Sequence, residues 1–319
     1  MKALILEAPG RIALRDVPEP QPQPGEVLVQ VEWSGVCGTD LHGYAHGAPL
    51  RHTPIIMGHE FSGTIVDTGR RVVVNPRVVC GTCEPCTSGQ TQLCQFASTL
   101  GVHRPGGFAE RVAVPEANCI AIPDGLDPRV AALTEVLAVG LHGARVLESQ
   151  RPLPGLPVAV IGGGVVGLGV AMLAKQQGAQ VTVVDLSPDR RRQAQRHGIE
   201  DVAETLDGQW PAIVEAVGNS AARTASLDRL TVGGVALWIG LDTAPAEVDV
   251  THLVRGERAI VTSYCYTSAE LEEALGLCAG FDADELEIVP LAEATTVFER
   301  SRGGSGGSHA RTLLAVGQG

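Results

Sequence analysis

The sequence is poor in aromatic residues and has no excess of positive charge. Aromatic side chains make up 3% of the chain, and 24 Lys and Arg stand against 36 Asp and Glu, which gives a formal net charge of -12. A negatively charged protein repels polyanions, and few aromatic rings leave few platforms on which bases can stack. We therefore expect neither nucleic acid nor an anionic membrane as a partner.

Long apolar runs and targeting features are also lacking. No stretch approaches the roughly 18 uninterrupted apolar residues that a membrane span needs. The N-terminal run Met1–Leu6 has neither the basic segment nor the long apolar core of a signal peptide, which predicts a cytoplasmic protein. With 44% apolar residues in a chain of 319, the composition favours a folded protein of about two domains.

The local sequence pattern changes near Asp127. Before it, short β-type runs separated by Pro and Gly predict an antiparallel, barrel-like domain. These runs are Ala3–Leu6, Ile12–Arg15, Val27–Val31, Phe61–Val66, Arg71–Val74 and Ala109–Val114. Asp127 followed by Pro128 is typical of a helix start, and apolar residues at helical spacing predict a helix over Arg129–Leu147.

Beyond residue 157, apolar strands alternate with helices, which is typical of a parallel sheet covered on both faces. The predicted strands are Val158–Ile161, Val181–Val184, Ile213–Val217, Val235–Ile239 and Ala259–Val261. The predicted helices are Val165–Gln177, Pro188–His197, Ala221–Leu230 and Ala269–Cys278. The tail from about Val289 is β-like and is expected to rejoin the first domain, and the tract Ser301–Ser308, rich in Gly and Ser, predicts a mobile surface loop.

A glycine-rich turn follows the first strand of this second region. The residues Gly162, Gly164, Val165, Val166 and Gly167 match the pattern G-x-G-x-x-G at the start of a helix. Such a turn lets the pyrophosphate of a dinucleotide approach the free backbone N–H groups of the helix. The motif therefore predicts a dinucleotide site.

An acidic residue ends the next strand and bears on the choice of cofactor. The carboxylate of Asp185 can accept both ribose hydroxyls of NAD, and it would repel the 2′-phosphate of NADP. Arg190, on the next turn, is expected to cover the adenine face. These positions predict NAD. The alternative is that Asp185 only caps the helix that follows Pro188.

Four of the eight cysteines lie close together: Cys80, Cys83, Cys86 and Cys94. In a reducing compartment such spacing is more typical of a metal site than of disulfides. Four thiolates can surround one tetrahedral zinc and leave no open position, which predicts a structural zinc that stabilises a lobe with little core of its own. An iron–sulfur cluster or unrelated thiols are the alternatives.

A second set of possible metal ligands and proton carriers is spread over the first half of the chain. It comprises, in chain order, Cys37, Thr39, His42, His59, Glu60 and Glu135. Each is unremarkable alone, because a lone Cys or His is more often a core or surface residue than a ligand. Their occurrence with the cysteine lobe and the glycine turn, in this order, is the informative feature.

Together these motifs resemble the zinc-containing medium-chain dehydrogenases, in the branch of sorbitol, butanediol and threonine dehydrogenases. The resemblance covers nearly the whole chain. The matching segments are Val36–His42, Gly58–Gly63, the cysteine lobe, Gly106–Glu110, Glu135–His142 and the glycine turn. Several independent motifs in family order make the resemblance specific.

The resemblance implies roles for individual residues. Cys37 and His59 would bind a catalytic zinc, and Glu60 or Glu135 would supply a carboxylate, directly or through water. Asp40 would orient His59 by accepting the N–H of its other ring nitrogen.

Thr39 and His42 match the proton-relay positions of the family. Zinc with an open position lowers the pKa of a bound hydroxyl, so Thr39 would take the proton and pass it towards His42 and solvent. The hydride would pass to NAD. The expected enzyme is a zinc-dependent, NAD-linked dehydrogenase of secondary alcohols, polyols, vicinal diols or cyclitols, with one catalytic and one structural Zn²⁺ per chain.

The resemblance also implies the architecture. A GroES-like β-barrel catalytic domain is expected over 1–147, with the zinc lobe at about 80–94, and is completed by 289–319. A Rossmann domain, a doubly wound parallel sheet that binds NAD, is expected over 148–288. Family members form dimers or tetramers, so a homodimer or homotetramer is expected. The connection Asp67–Arg70 is shorter than is usual in the family.

Other functions remain open from the sequence. Within the branch, a dehydrogenase of threonine-type 3-hydroxy amino acids also fits. A zinc-free quinone or enone reductase is disfavoured, because such relatives lack zinc ligands at Cys37, His59 and the cysteine lobe. A non-catalytic redox sensor that binds zinc and dinucleotide is the alternative from another class.

Overall fold

The computed structural model describes residues 1–47, 51–241, 245–301 and 311–317. The strands are β1 (Lys2–Ala8), β2 (Arg11–Asp16), β3 (Glu26–Gly35), β4 (Ile55–Ile56), β5 (Glu60–Ile65), β6 (Arg71–Val74), β7 (Arg77–Val78), β8 (Ser98–Thr99), β9 (Arg111–Pro115), β10 (Cys119–Ala121), β11 (Pro157–Ile161), β12 (Gln180–Val184), β13 (Asp201–Ala203), β14 (Trp210–Glu215), β15 (Leu230–Trp238), β16 (Ala259–Thr262), β17 (Leu286–Pro290) and β18 (Arg311–Ala315).

The α-helices are α1 (Gly38–His46), α2 (Glu84–Thr87), α3 (Pro128–Ala131), α4 (Thr134–Gln150), α5 (Val165–Gln176), α6 (Pro188–Arg196), α7 (Ser220–Asp228), α8 (Val250–Arg255), α9 (Ser268–Leu277) and α10 (Ala294–Ser301). No helix within the described residues is long and apolar enough to cross a bilayer. The surface loop that the sequence predicts at Ser301–Ser308 lies outside the described residues after its first position.

The first of two compact units comprises Met1–Glu135 and Thr267–Gly319. Its largest sheet has the order β10-β6-β5-β3-β18-β17, and β9 also pairs with β3. Strand β18 pairs antiparallel with β3 and parallel with β17, so the tail returns to this unit as the sequence predicts. The core of the unit contains the buried rings of Phe61, Phe108 and Phe298.

The second unit comprises Val136–Tyr266. Its six strands are all parallel and lie in the order β13-β12-β11-β14-β15-β16. Numbered within the unit, this is the order 3-2-1-4-5-6 of a dinucleotide-binding doubly wound sheet. The predicted α/β class and parallel sheet are therefore confirmed. The turn from β11 to α5 lies at the carboxyl edge of the sheet, where such folds bind their ligands.

The position of α9 differs from the sequence prediction. The sequence places the cofactor domain at 148–288, whereas the second unit is Val136–Tyr266 and the chain from Thr267 belongs to the first unit. The Ser268 N–H donates to Thr91 Oγ1 at 2.8 Å, and Leu275 lies in a buried cluster with Val73 and Ala131. The alternation of strands and helices in the sequence predicts the helix α9. It does not show against which sheet this helix packs.

The helix predicted over Arg129–Leu147 is two helices, α3 and α4. The Thr134 hydroxyl donates to the carbonyl of Ala131 at 2.6 Å. In a continuous helix that carbonyl would accept the backbone N–H of Glu135. The second helix starts at Thr134 and carries Glu135 in its first turn, so the interruption sets where this carboxylate lies.

Candidate active site

Three of the predicted site residues come together at one end of the β3–β5 pair. Cys37 lies two residues beyond β3, and His59 directly precedes β5. The two strands are antiparallel, with Gly35 opposite Glu60, so the end of one meets the start of the other. The ligand atoms of Cys37, His59 and Glu60 all lie within 4.8 Å of one another.

The turn before His59 is held by the glycine-rich segment near residue 107. Gly58 has a φ of +90°, and a Cβ there would lie 2.5 Å from the Phe108 ring. The Gly58 carbonyl accepts the Gly107 N–H at 2.8 Å. The matching segment Gly106–Glu110 therefore packs against the backbone that positions His59, and only glycine fits at residue 58.

Asp40 connects the two predicted zinc ligands. Its Oδ2 accepts the backbone N–H of Cys37 at 3.1 Å, and its Oδ1 lies 3.5 Å from His59 Nδ1. Among the described residues that buried ring nitrogen makes no hydrogen bond. Asp40 therefore lies beside the expected nitrogen of His59, and its orienting role stays a prediction.

The charges at this site favour a thiolate. Burial acts to raise the pKa of Cys37, but the His59 imidazole, followed by Arg311, lowers it to about 6. Burial acts to lower the pKa of His59, and Asp40 and Cys37 raise it well above its ordinary value. A thiolate facing an imidazole is the donor pair that zinc prefers. Without a metal, the Cys37 sulfur and the His59 ring share a proton, and a divalent cation can take its place. The residues present therefore fit zinc.

Glu60 is held by an arginine that the sequence did not identify. Arg311 Nε donates to Glu60 Oε2 at 2.8 Å, and Arg311 Nη2 donates to Glu60 Oε1. The carboxylate is fully buried, and a Cβ at Gly35 would lie 2.3 Å from its Oε2. Gly35 therefore leaves the space that Glu60 occupies. No local signal marks Arg311, because it lies 251 residues from its partner.

The remaining predicted residues of this site lie nearby in the fold, and their roles stay predictions. Glu135 is buried in the first turn of α4. Among the described residues it does not belong to the group within 4.8 Å. Thr39 and His42 both lie on α1, which begins directly after Cys37. The relay proposed for them requires a partly exposed position, and both are partly exposed.

The four cysteines of the lobe form a second site. Their sulfurs all lie within 4.8 Å of one another, with Cys80 Sγ 3.9 Å from Cys86 Sγ and 3.7 Å from Cys94 Sγ. Thiolates bound to one tetrahedral zinc at about 2.3 Å are about 3.8 Å apart. An iron–sulfur cluster divides four thiolates between two or four irons, so thiolates on different irons must lie further apart. The geometry therefore favours a single shared ion.

The glycine turn has the features that a dinucleotide requires. Gly162 has a φ of +101°, and a Cβ at Gly167 would lie 1.9 Å from the Gly162 carbonyl oxygen. These two positions need glycine for the turn itself. Among the described residues, nothing lies within 4 Å of a Cβ placed at Gly164. This glycine therefore leaves open space at the start of α5, which begins with Val165 and Val166. Open space beside free helix N–H groups is suited to a phosphate.

Asp185 belongs to the same turn. Its Oδ2 accepts the Gly163 N–H at 2.8 Å, and its Oδ1 accepts the Ser187 N–H at 2.8 Å. The N-cap of α6 is Ser187, so the idea that Asp185 merely caps this helix does not describe its contacts. Arg190 Nη1 lies 3.5 Å from Asp185 Oδ2, which places a cation beside the carboxylate.

Comparison with known proteins gives two family models. Residues 23–124 match the alcohol dehydrogenase GroES-like domain, and residues 165–280 match the zinc-binding dehydrogenase model. The chain is 35% identical over 263 residues to L-galactonate-5-dehydrogenase of Escherichia coli, covering 76% of each. It is 37% identical over 284 residues to L-threonine 3-dehydrogenase of Streptomyces avermitilis, covering 80% of this chain and 81% of the relative.

A similar solved structure is that of a zinc-binding dehydrogenase of Sinorhizobium meliloti bound to NADP. It is 29% identical, with a TM-score of 0.87 and 98% of each chain covered. The likeness extends over both units, so the matched proteins have the same two folds as this chain.

Proposed function

This chain belongs to the zinc-containing medium-chain dehydrogenase family, and from that premise we propose that it is an NAD-linked dehydrogenase of secondary alcohols and polyols. The observation that carries the proposal is the meeting of Cys37, His59 and Glu60 within 4.8 Å in a chain that also forms the glycine turn with Asp185. We further propose two zinc ions per chain, a homodimer or homotetramer, and a cytoplasmic location.

At the catalytic site, Cys37 and His59 would hold zinc, and Asp40 would keep both in place. Arg311 engages both oxygens of Glu60. We therefore propose Glu135 as the third protein ligand of the zinc and Glu60 as a residue that balances the charge of the site. When bound, zinc supplies Lewis acidity that lowers the pKa of the substrate hydroxyl. In the lobe, the four thiolates would complete a closed site with a structural role.

Proton and hydride leave the substrate by different routes. The Thr39 hydroxyl would accept the proton of the substrate hydroxyl as it releases its own, and His42, one turn further along α1, would pass a proton to solvent. When bound, NAD supplies the hydride acceptor. The glycine turn would hold the pyrophosphate, and Asp185 would accept hydrogen bonds from the ribose hydroxyls.

The substrate class rests on the relatives. One acts on L-galactonate and another on L-threonine, by their names, and both substrates carry a secondary hydroxyl beside further polar groups. We propose a polyol or sugar-acid substrate first and a 3-hydroxy amino acid second. The test is zinc content with NAD- and NADP-dependent absorbance change on a panel of both classes. Two zinc ions with turnover support the proposal, and cofactor binding without turnover on any alcohol would favour a redox sensor.

The charge of Asp185 is expected to set the choice between NAD and NADP. Asp185→Asn keeps an oxygen that can accept from Gly163 and removes the negative charge. A hydrogen bond to a charged group contributes about 1.5–3 kcal/mol, roughly twice a neutral one, and the repulsion of the 2′-phosphate is lost. We expect the ratio of kcat/KM for NAD to that for NADP to fall by at least about tenfold.

The control for this variant is Asp189→Asn. Asp189 pairs with Arg192 on the same helix, and its side chain is 43% exposed. It should leave the cofactor ratio unchanged. An unchanged ratio in Asp185→Asn would show that another residue selects the cofactor.

Substitutions at two glycines of the turn are expected to change stability and cofactor binding separately. In Gly167→Ala the new methyl meets a backbone carbonyl oxygen at 1.9 Å, and we expect a loss of about 1–3 kcal/mol of stability. In Gly164→Ala the methyl meets no protein atom within 4 Å. We expect unchanged stability and at least about tenfold weaker NAD binding, because the methyl fills the space next to the phosphate-binding N–H groups.

Thermal unfolding and fluorescence titration with NADH measure the two effects. Unimpaired binding in Gly164→Ala would place the pyrophosphate elsewhere.

A further inference from the structure

A buried arginine lies behind the predicted zinc ligands. The side chain of Arg51 is 3% exposed, and its Nη2 donates to Asp40 Oδ1 at 2.6 Å. Its Nη1 donates to the Thr39 carbonyl at 2.9 Å and lies 3.4 Å from Met57 Sδ. A cation is expensive to bury unless it is paired, and here the charged partner is a carboxylate with no exposed surface.

Helix α1 has a glycine, Gly43, at the position where the Arg51 guanidinium lies against it. A Cβ at Gly43 would lie 2.4 Å from Arg51 Nη1, so any larger residue would displace it. Glycine inside a helix is destabilising relative to alanine. The helix therefore carries a destabilising residue at the one place where the guanidinium needs room.

The contacts of Asp40 show what Arg51 controls. One carboxylate oxygen accepts the Cys37 N–H, and the other lies between Arg51 Nη2 at 2.6 Å and His59 Nδ1 at 3.5 Å. The shortest of these contacts is the one to Arg51, so the arginine fixes where the carboxylate lies. The carboxylate therefore bonds to the backbone of one predicted metal ligand and lies beside the ring of the other.

We propose that Arg51 is a positioning residue of the catalytic metal centre, which holds Asp40 in the place where it aligns Cys37 with His59 and so determines how firmly the centre retains its ion. The proposal rests on the proposed function in one respect, namely that Cys37 and His59 bind a metal. Groups that support a metal ligand from behind typically change metal affinity by about 10–100-fold when they are lost.

The test follows the release of Co²⁺ from the Cys37 site. The full-length protein is loaded with Co²⁺ at this site and Zn²⁺ in the lobe, and thiolate-to-cobalt absorption that disappears in Cys37→Ser identifies the signal. Release into excess chelator is then timed. We expect Arg51→Met to release Co²⁺ at least about tenfold faster than the wild type and to keep its lobe zinc, with Arg51→Lys between the two.

Two further variants separate positioning from folding. Gly43→Ala keeps Arg51 and improves helix propensity, but its methyl displaces Nη1, so we expect faster release without loss of stability. Arg77→Met removes another arginine of the same unit that is 8% exposed and bonds to the Gln92 carbonyl at 3.2 Å. It should leave the release of Co²⁺ unchanged.

Each outcome has one meaning. If Arg51→Met does not fold, the rate of Co²⁺ release from Gly43→Ala tests the proposal in its place. Wild-type release rates in both variants, or equal acceleration by Arg77→Met, would overturn the positioning role while the proposed function stands. A wild-type protein that takes up no Co²⁺ at Cys37 would overturn the proposed function and this inference together.

Discussion

Replacing His59 with alanine is expected to remove the catalytic zinc and to lower kcat/KM by about 10³-fold or more. Lewis-acid activation of a hydroxyl contributes several kcal/mol to the barrier, and 1.36 kcal/mol corresponds to tenfold in rate. The imidazole is buried beside the Cys37 thiol, and alanine leaves no ligand in its place. Zinc content should fall from two ions per chain to one, measured together with steady-state turnover on the best substrate of the panel.

The matched control is His103→Ala. His103 is an exposed histidine of the same unit, and its Nδ1 accepts the Thr99 N–H at 3.0 Å in a surface turn. It should keep both metals and full turnover. A His59→Ala protein that retains two zinc ions and its activity would contradict the assignment of this site.

Replacing Cys94 with serine is expected to lower the melting temperature by at least about 10 °C. The lobe has almost no core, because the short helix α2 contains no buried residue. Structural zinc contributes about 10–16 kcal/mol to the folding of isolated zinc-binding peptides. Even a loss of about 5 kcal/mol shifts the midpoint of a unit of this size by roughly 10–20 °C. Calorimetry and metal analysis measure the effect.

Cys119→Ser provides the comparison for the lobe. Cys119 lies on β10, outside the lobe, and burial raises the pKa of its thiol to about 11, so it remains a neutral thiol. Its replacement should shift the midpoint far less and leave both zinc ions in place. Equal destabilisation by the two variants would mean that the lobe binds no structural ion.

Most of the second unit could be predicted from the sequence, because apolar strands alternate with helices there and five of the six strands were recognised. The short strand β13 and the helix α8 were not among the predicted elements. The first unit was harder. The sequence analysis predicts a β-like tail from about Val289, but Ala294–Ser301 form the helix α10, which buries Val297 and Phe298. The Phe298 ring packs edge-on against Tyr44 at 5.5 Å. Tertiary packing, rather than local propensity, forms this helix.

The candidate site could likewise be predicted only in part from the sequence. Cys37, His59 and the four lobe cysteines were identified because zinc ligands are of few types and occur in short motifs. Arg51 and Arg311 were not, since a buried arginine is recognised only by what it contacts. Both are held to carboxylates that the motifs do mark, namely Asp40 and Glu60. The sequence thus identified the candidate ligands but not the arginines behind them.

Arg311 is the first residue of β18, which pairs with the end of β3, and its late place in the sequence has a consequence for biosynthesis. On a ribosome adding about 5–20 residues per second, the 251 residues between Glu60 and Arg311 take about 10–50 s. Throughout that interval the nascent chain already carries Cys37, His59 and Glu60, while the guanidinium that neutralises Glu60 has not been translated. A metal ion that reached Cys37 and His59 in that interval would meet a Glu60 carboxylate that Arg311 does not yet hold.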